Sequence, residues 1–231
     1  MIPQASTIFW TLLGGIAPAV IWLMFWLRED RLHPEPRSII MLTFIAGMVA
    51  VPLAIPLERA VNNQNDLVNT FMLWAIIEEC LKFGAALLVA WRSGEVDEPV
   101  DPLIYMMTSA LGFAAAENAL FLLEPLTHGD FTESLITGNM RFVGASLLHT
   151  MSSALIGACF SLTFYKSKTA RRTMVFIGLV GGIALHTLFN LFIMKGTDTA
   201  TISAFGFIWL LMIALMLVFE KVKRERATNP I

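Results

Sequence analysis

Ala75-Ile76-Ile77-Glu78-Glu79-Cys80-Leu81-Lys82-Phe83 places two adjacent glutamates and a lysine inside a run that is otherwise apolar from residue 71 to residue 91. A run of roughly 20 apolar residues is the length that crosses a bilayer as a helix. Charges at that depth are costly, at least ~2.5–3.5 kcal/mol each near the bilayer centre on insertion scales. Three ionisable groups in one such segment are retained only where they face a wet or paired interior, and they mark a functional site.

The rest of the chain fits the same reading. With 56% hydrophobic and 15% charged residues in 231, and a mean hydropathy of +0.69, it is too apolar for a soluble domain. About seven apolar runs reach spanning length: 7–27, 38–57, 71–91, 103–123, 142–165, 173–194 and 200–219. Alternating ten-residue strands are absent, which excludes a barrel. The expected fold is an all-α, polytopic membrane bundle of about seven transmembrane helices, forming a single domain over residues 1–231 in the cell membrane. The net charge of −2 suggests no nucleic-acid partner; the surrounding lipid bilayer is the partner that the composition implies. Cys80 and Cys159 both fall inside spans and read as small buried apolar residues, not as a disulfide or a thiolate metal site. No basic residue precedes the first run, so it reads as a retained helix and not as a signal peptide.

Basic residues give the orientation. Arg28, Arg31, Arg37, Arg92, Lys166, Lys168, Arg171, Arg172, Lys221, Lys223, Arg224 and Arg226 fall on one side, against Arg59, Arg141 and Lys195 on the other. The positive-inside rule then places the N-terminus outside and the C-terminus in the cytoplasm, a parity that needs an odd number of spans. The stretch from Glu124 to Asn139 connects the fourth and fifth runs and has room for a short interfacial helix, with His128 as a solvated loop residue.

Four further polar positions share a depth with the glutamates. At ~1.5 Å per residue, Glu78 and Glu79 lie about 11 Å below the outer end of the third run, Glu117 about 9 Å, His149 about 10 Å and His186 about 12 Å, with Asn190 one turn nearer the surface. Helical spacing groups Ser146, His149 and Ser153 on one face, and Gly178, Gly182, His186 and Asn190 on another. Phe113 and Glu117 share a face, with Asn118 beside them. Adjacent glutamates point about 100° apart on a helix, so Glu78 and Glu79 have different duties. Lys82, one turn from both, neutralises one of them.

These residue types suit hydrolysis. A carboxylate among other carboxylates, away from bulk water, suits a general base that takes a proton from water and returns it; histidine and asparagine can donate hydrogen bonds to an oxyanion. The serines near His149 lie along its own helix and read as packing residues, so water is the expected nucleophile and no cofactor or metal is expected. Two alternatives stay open on the residues alone. A proton-coupled transporter would also bury such a relay. Three carboxylates and two histidines could also ligate zinc, although His-Glu-x-x-His is absent and Lys82 disfavours a cation.

The ordered motifs Glu78-Glu79-x-x-Lys82, Phe113-x-x-x-Glu117-Asn118, His149 and His186-x-x-x-Asn190 resemble those of the PrsW-type intramembrane proteases, and Ala17-Pro18 and Pro34-Glu35-Pro36 are similar to that family's N-terminal segment. The family is related to the CAAX-prenyl endopeptidases and bacteriocin-processing membrane proteases. The resemblance implies a glutamate-dependent, membrane-embedded peptidase in which Glu78 activates water, Glu79 and Lys82 support it, and His186 and Asn190 form the oxyanion side. The prenyl-endopeptidase branch has histidine at the position of Glu117, which leaves the duty of Glu117 open. The resemblance also implies a single-span membrane-protein substrate, such as an anti-sigma factor whose first, extracytoplasmic cut starts a stress response.

Overall fold

A computed structural model describes residues 4–30, 33–195 and 197–228. Arg31, one of the cations in the orientation argument, lies outside them. The described chain is helical throughout, with no strand. The order is α1 (Ala5–Leu27), a 3-10 turn (Arg28–Asp30), α2 (Arg37–Val61), α3 (Leu67–Ala86), α4 (Asp101–Thr127), α5 (Phe131–Met140), α6 (Ser146–Ser161), α7 (Lys168–Met194) and α8 (Asp198–Thr228). In hydrocarbon every backbone amide must be satisfied within its own segment, which is why uninterrupted apolar runs become helices and little else.

Among the described residues six segments are long and apolar enough to cross a membrane: α1 with its 3-10 turn, α2, α4, α5 and α6 taken together, α7 and α8. The remaining expected crossing is α3, a 20-residue helix extended by a five-residue π-helical turn, Leu87–Trp91. It is long enough to span, but it carries Glu78, Glu79 and Lys82 in its middle.

Several boundaries differ from the apolar runs. α3 begins at Leu67, where Asp66 Oδ1 accepts from the amide of Asn69 at 3.0 Å, and α4 continues to Thr127. Polar residues end a hydropathy window, but they do not end a helix; at the start of α3 the aspartate cap holds the extra turn. The short helix expected between the fourth and fifth runs exists as α5. It is joined to α6 by a π-helical turn, Arg141–Ala145, in place of a loop.

α4 is the axis of the bundle. The apolar windows of α4 and of the α5–α6 segment are 72% buried, against 22% for α1 and 28% for α8. Close backbone approach sets this arrangement. A Cβ on Gly112 would lie 2.0 Å from the carbonyl oxygen of Phe44, and one on Gly47 would lie 2.1 Å from that of Ser109, so α2 and α4 cross with glycine at the contact on both sides. The glycine stripe of α7 does the same against α6, where a Cβ on Gly182 would meet the Ser152 carbonyl at 2.5 Å. Ser109 Oγ then donates to the Lys82 carbonyl at 2.8 Å, tying α3 to the axis just where its charges lie.

Cys80 departs from expectation. It is exposed, and Cys159 is half-buried. Glu79, one position earlier, faces the interior with no exposure, and a 100° step along α3 carries the next side chain outward. An outward face in a membrane is as apolar as a core, so a small apolar residue there need not be buried.

Candidate active site

Glu79 and Lys82 form the floor of the polar cluster, both with no exposure. Glu79 Oε1 accepts from Lys82 Nζ at 2.6 Å, from Ser152 Oγ at 2.8 Å and from His186 Nδ1 at 2.9 Å. Its Oε2 accepts from Ser153 Oγ at 2.8 Å. Four donors from α3, α6 and α7 converge on one carboxylate, which leaves it little capacity for anything else. Lys82 also lies 4.9 Å from the centroid of the Phe113 ring. It is therefore Glu79 that the lysine neutralises.

Glu78, on the next helical position, is the opposite case. Its Oε2 is buried and has no hydrogen-bond partner among the described residues. Around it stand His149 Nδ1 at 3.6 Å, His186 Nε2 at 3.7 Å and Lys82 Nζ at 3.8 Å. The two imidazoles are oriented by other carboxylates. His149 Nε2 donates to Glu117 Oε2 at 2.8 Å, and His186 Nδ1 donates to Glu79. A carboxylate only accepts, so in neutral rings the protons sit on these outer nitrogens and the lone pairs of Nδ1 on His149 and Nε2 on His186 face Glu78. Lys82 Nζ, 3.1 Å from His149 Nδ1, donates to one of them.

Glu117 is held from the other side by a residue that was read in the sequence only as a loop cation. Arg141 Nη2 donates to Glu117 Oε2 at 2.5 Å and Arg141 Nε to Asn118 Oδ1 at 2.6 Å. Asn118 Nδ2 in turn donates to Ser146 Oγ at 3.1 Å, so its amide positions its neighbours. Glu78, Glu117, His149, His186 and Arg141 open onto one cavity of about 250 Å³, whose walls include Trp74, Phe121 and Asn190. α3 and α4 extend one turn beyond the apolar runs. The cluster therefore lies roughly 12–18 Å below the ends of α3, α4 and α7.

All nine residues singled out in the sequence thus meet in one region, with Phe113 and Asn118 behind the others. Sequence reasoning missed Arg141, which lies one residue before the fifth apolar run, and the donor duty of Ser152 and Ser153 toward Glu79. A signal for the serines existed: two adjacent hydroxyls one turn past His149 can both reach a single carboxylate.

The donor set also fits a divalent cation. Glu78, His149 and His186 each offer a ligand atom, all within 4.8 Å of one another. One carboxylate and two imidazoles are a catalytic zinc set. The outer nitrogen of each imidazole is held by a carboxylate, as in metal sites generally, and the partnerless oxygen of Glu78 points between them. Lys82 shares this space, so a cation there requires its ammonium to withdraw from His149 Nδ1.

Comparison with known proteins follows the same lines. Residues 35–219 match the family described as PrsW family intramembrane metalloprotease. Protease PrsW of Oceanobacillus iheyensis is 25% identical over 94% of this chain and 97% of its own length. That of Bacillus subtilis is 22% identical over 94% and 95%, and that of Clostridioides difficile 28% over 78% and 77%. No solved structure matches the chain.

Proposed function

Because this chain belongs to the PrsW family of intramembrane proteases, and so is a multi-pass peptidase of the cell membrane, we propose that it is an endopeptidase that cuts single-span membrane proteins with water activated at Glu78. The observation that carries this reading is the buried Glu78 Oε2, without a partner and flanked by two imidazole nitrogens at 3.6 Å and 3.7 Å. An acceptor left open beside a cavity is where a water can give up a proton, whereas Glu79 is fully engaged. The transporter alternative gives way to the family assignment.

The steps balance with these groups alone. Glu78 takes a proton from water as the water oxygen bonds to the scissile carbonyl carbon and the carbonyl electrons move onto its oxygen. Collapse of that intermediate breaks the C–N bond. Glu78 returns the proton to the departing nitrogen, leaving a carboxylic acid and an amine, which become a carboxylate and an ammonium once the acid's proton passes to the amine. Asn190, on the cavity wall, is placed to donate to the developing oxyanion. His186 can do so through Nε2 only when that nitrogen also carries a proton.

A second reading rests on the convergent lone pairs. Glu78, His149 and His186 would hold a divalent cation, which would polarise the carbonyl and ease ionisation of water. In that case Glu79 and Glu117 keep the same task, fixing the two rings.

The bias of lysine and arginine supports a site toward the extracytoplasmic side. A peptide bond inside a spanning helix is hydrogen-bonded and shielded, so it must fray before attack. The proposed cut is therefore at the outer juxtamembrane end of a partner's helix, with an anti-sigma factor as the substrate that the family resemblance suggests. The test is to incubate purified protein with single-span substrates of known orientation and to map new termini by mass spectrometry, before and after exhaustive chelation. Outer-end cuts that survive chelation support the first reading. Loss on chelation, with restoration by zinc, selects the second. Cuts at the cytoplasmic end overturn the orientation.

A further inference from the structure

Arg141 reaches the site through an irregularity of the helix. It opens the π-helical turn Arg141–Ala145 that joins α5 to α6. Eight residues separate it from His149. In an unbroken α-helix eight steps of 100° would turn the two side chains about 80° apart, but a π turn that absorbs one extra residue brings them to within about 20°. Both side chains then converge on the same oxygen of α4, Glu117 Oε2, with Arg141 Nη2 at 2.5 Å and His149 Nε2 at 2.8 Å.

Three contacts define how the guanidinium sits. Its fork spans two adjacent residues of α4, Nη2 on Glu117 and Nε on Asn118 at 2.6 Å, and its plane lies 3.9 Å from the centroid of the Phe121 ring. Lysine can supply the charge but neither the fork nor the stacking. The consequence runs inward. Glu117 is less enclosed than Glu79, its side chain 23% exposed against none, so it needs an anchor to stay turned toward His149. While it does, His149 keeps its proton on Nε2 and turns Nδ1 toward Glu78.

We propose that Arg141 is a positioning residue for the hydrolytic site: it fixes Glu117, and through Glu117 the orientation of His149. This rests on the reading of Glu78, His149 and His186 as the reacting cluster, but its first test does not use activity. The chain has four histidines; among the described residues His33 is mostly exposed and lies 3.4 Å from Glu98, whereas the buried ones, His149 and His186, each meet a carboxylate oxygen within 2.9 Å. In protein labelled with 15N-histidine, both should show slowly exchanging, strongly hydrogen-bonded imidazole protons. In Arg141→Gln the His149 signal should be lost and the His186 signal, which reports on Glu79, should remain. In the cleavage assay kcat should fall about 10–100-fold with little change in KM, and Arg141→Lys should recover only part of it. A His149 signal that persists in Arg141→Gln overturns the proposal, whether kcat is unchanged or has fallen through direct contact of Arg141 with substrate. Loss of the signal with wild-type kcat overturns it too. If Arg141→Gln loses both signals, the fold has failed, and Arg141→Lys carries the same comparison of the two signals. If no substrate is cut by any form, the function assigned above fails while the two imidazole signals still decide the role of Arg141.

Discussion

Two acidic clusters sit about 24 Å apart along α4, and their surroundings differ. At the far end from Glu117, the carboxylates of Asp30, Glu35 and Asp101 approach within 4.8 Å of one another. Asp101 Oδ2 accepts from the backbone amides of Asp97 at 2.9 Å and Glu98 at 2.6 Å, and the Tyr105 hydroxyl donates to Glu35. These acids fasten the loops between helices to the start of α4. At the other end, two cations and two imidazoles surround three carboxylates, and one carboxylate oxygen beside the cavity is left without a partner. Burial of acid is thus common to both clusters. What distinguishes the site is the two buried imidazoles and the buried ammonium that stand around Glu78 within 3.8 Å.

The contrast can be broken by substitution. The largest expected effect on stability is at Glu79, because Glu79→Leu strands the fully buried Lys82. Loss of one partner of such a pair costs about 3–5 kcal/mol, on the order of 10 °C in the melting temperature of the detergent-solubilised protein. Next is Asp101→Ala, which removes two amide acceptors at the opposite end, a loss of about 1–3 kcal/mol. Cleavage per folded molecule should stay within about twofold, because no group at that end reaches the cavity. A fall as deep as that of the site variants would erase the distinction between the clusters.

The smallest effect is one of pH. Burial raises the Glu35 carboxyl above its ordinary 4.5, against the opposing hydrogen bonds of Asp101 and Tyr105. The folded chain then binds this proton more tightly than the unfolded chain. Its contribution to stability is full below about 4.5 and is lost as pH rises through the raised folded value. The melting temperature should decline across that window by a few °C. Glu35→Gln, which cannot titrate, should flatten the slope, and an unchanged slope would assign it to another group.

Much of this arrangement was legible in the chain. Depth along four apolar runs brought Glu78, Glu117, His149 and His186 together, since a charge in hydrocarbon has few places to go. The α7 glycine stripe marked a close helix contact, and α6 is the helix that makes it. Two things were hidden for physical reasons. Helices pass beyond their apolar windows, through an aspartate cap at the start of α3 and through Glu124–Thr127 at the end of α4, so both are a turn longer than the runs that revealed them. The π turn at Arg141–Ala145 changes which face of the helix Arg141 occupies, and no periodicity of an ideal helix predicts that. The different duties of Glu78 and Glu79 follow from their 100° separation, but which of them stays open depends on Ser152 and Ser153, which arrive from another helix.

The most direct measurement is cleavage by purified Glu78→Gln, read beside its melting temperature. Glutamine preserves the shape and removes the proton acceptor, at a position where one carboxylate oxygen is buried without a hydrogen-bond partner. The expected result is a fall in rate of about 10²–10⁴-fold with a melting temperature equal to or above that of the unaltered chain. Cleavage near the unaltered rate, with the fold intact, would contradict the assignment of Glu78 as the group that activates water.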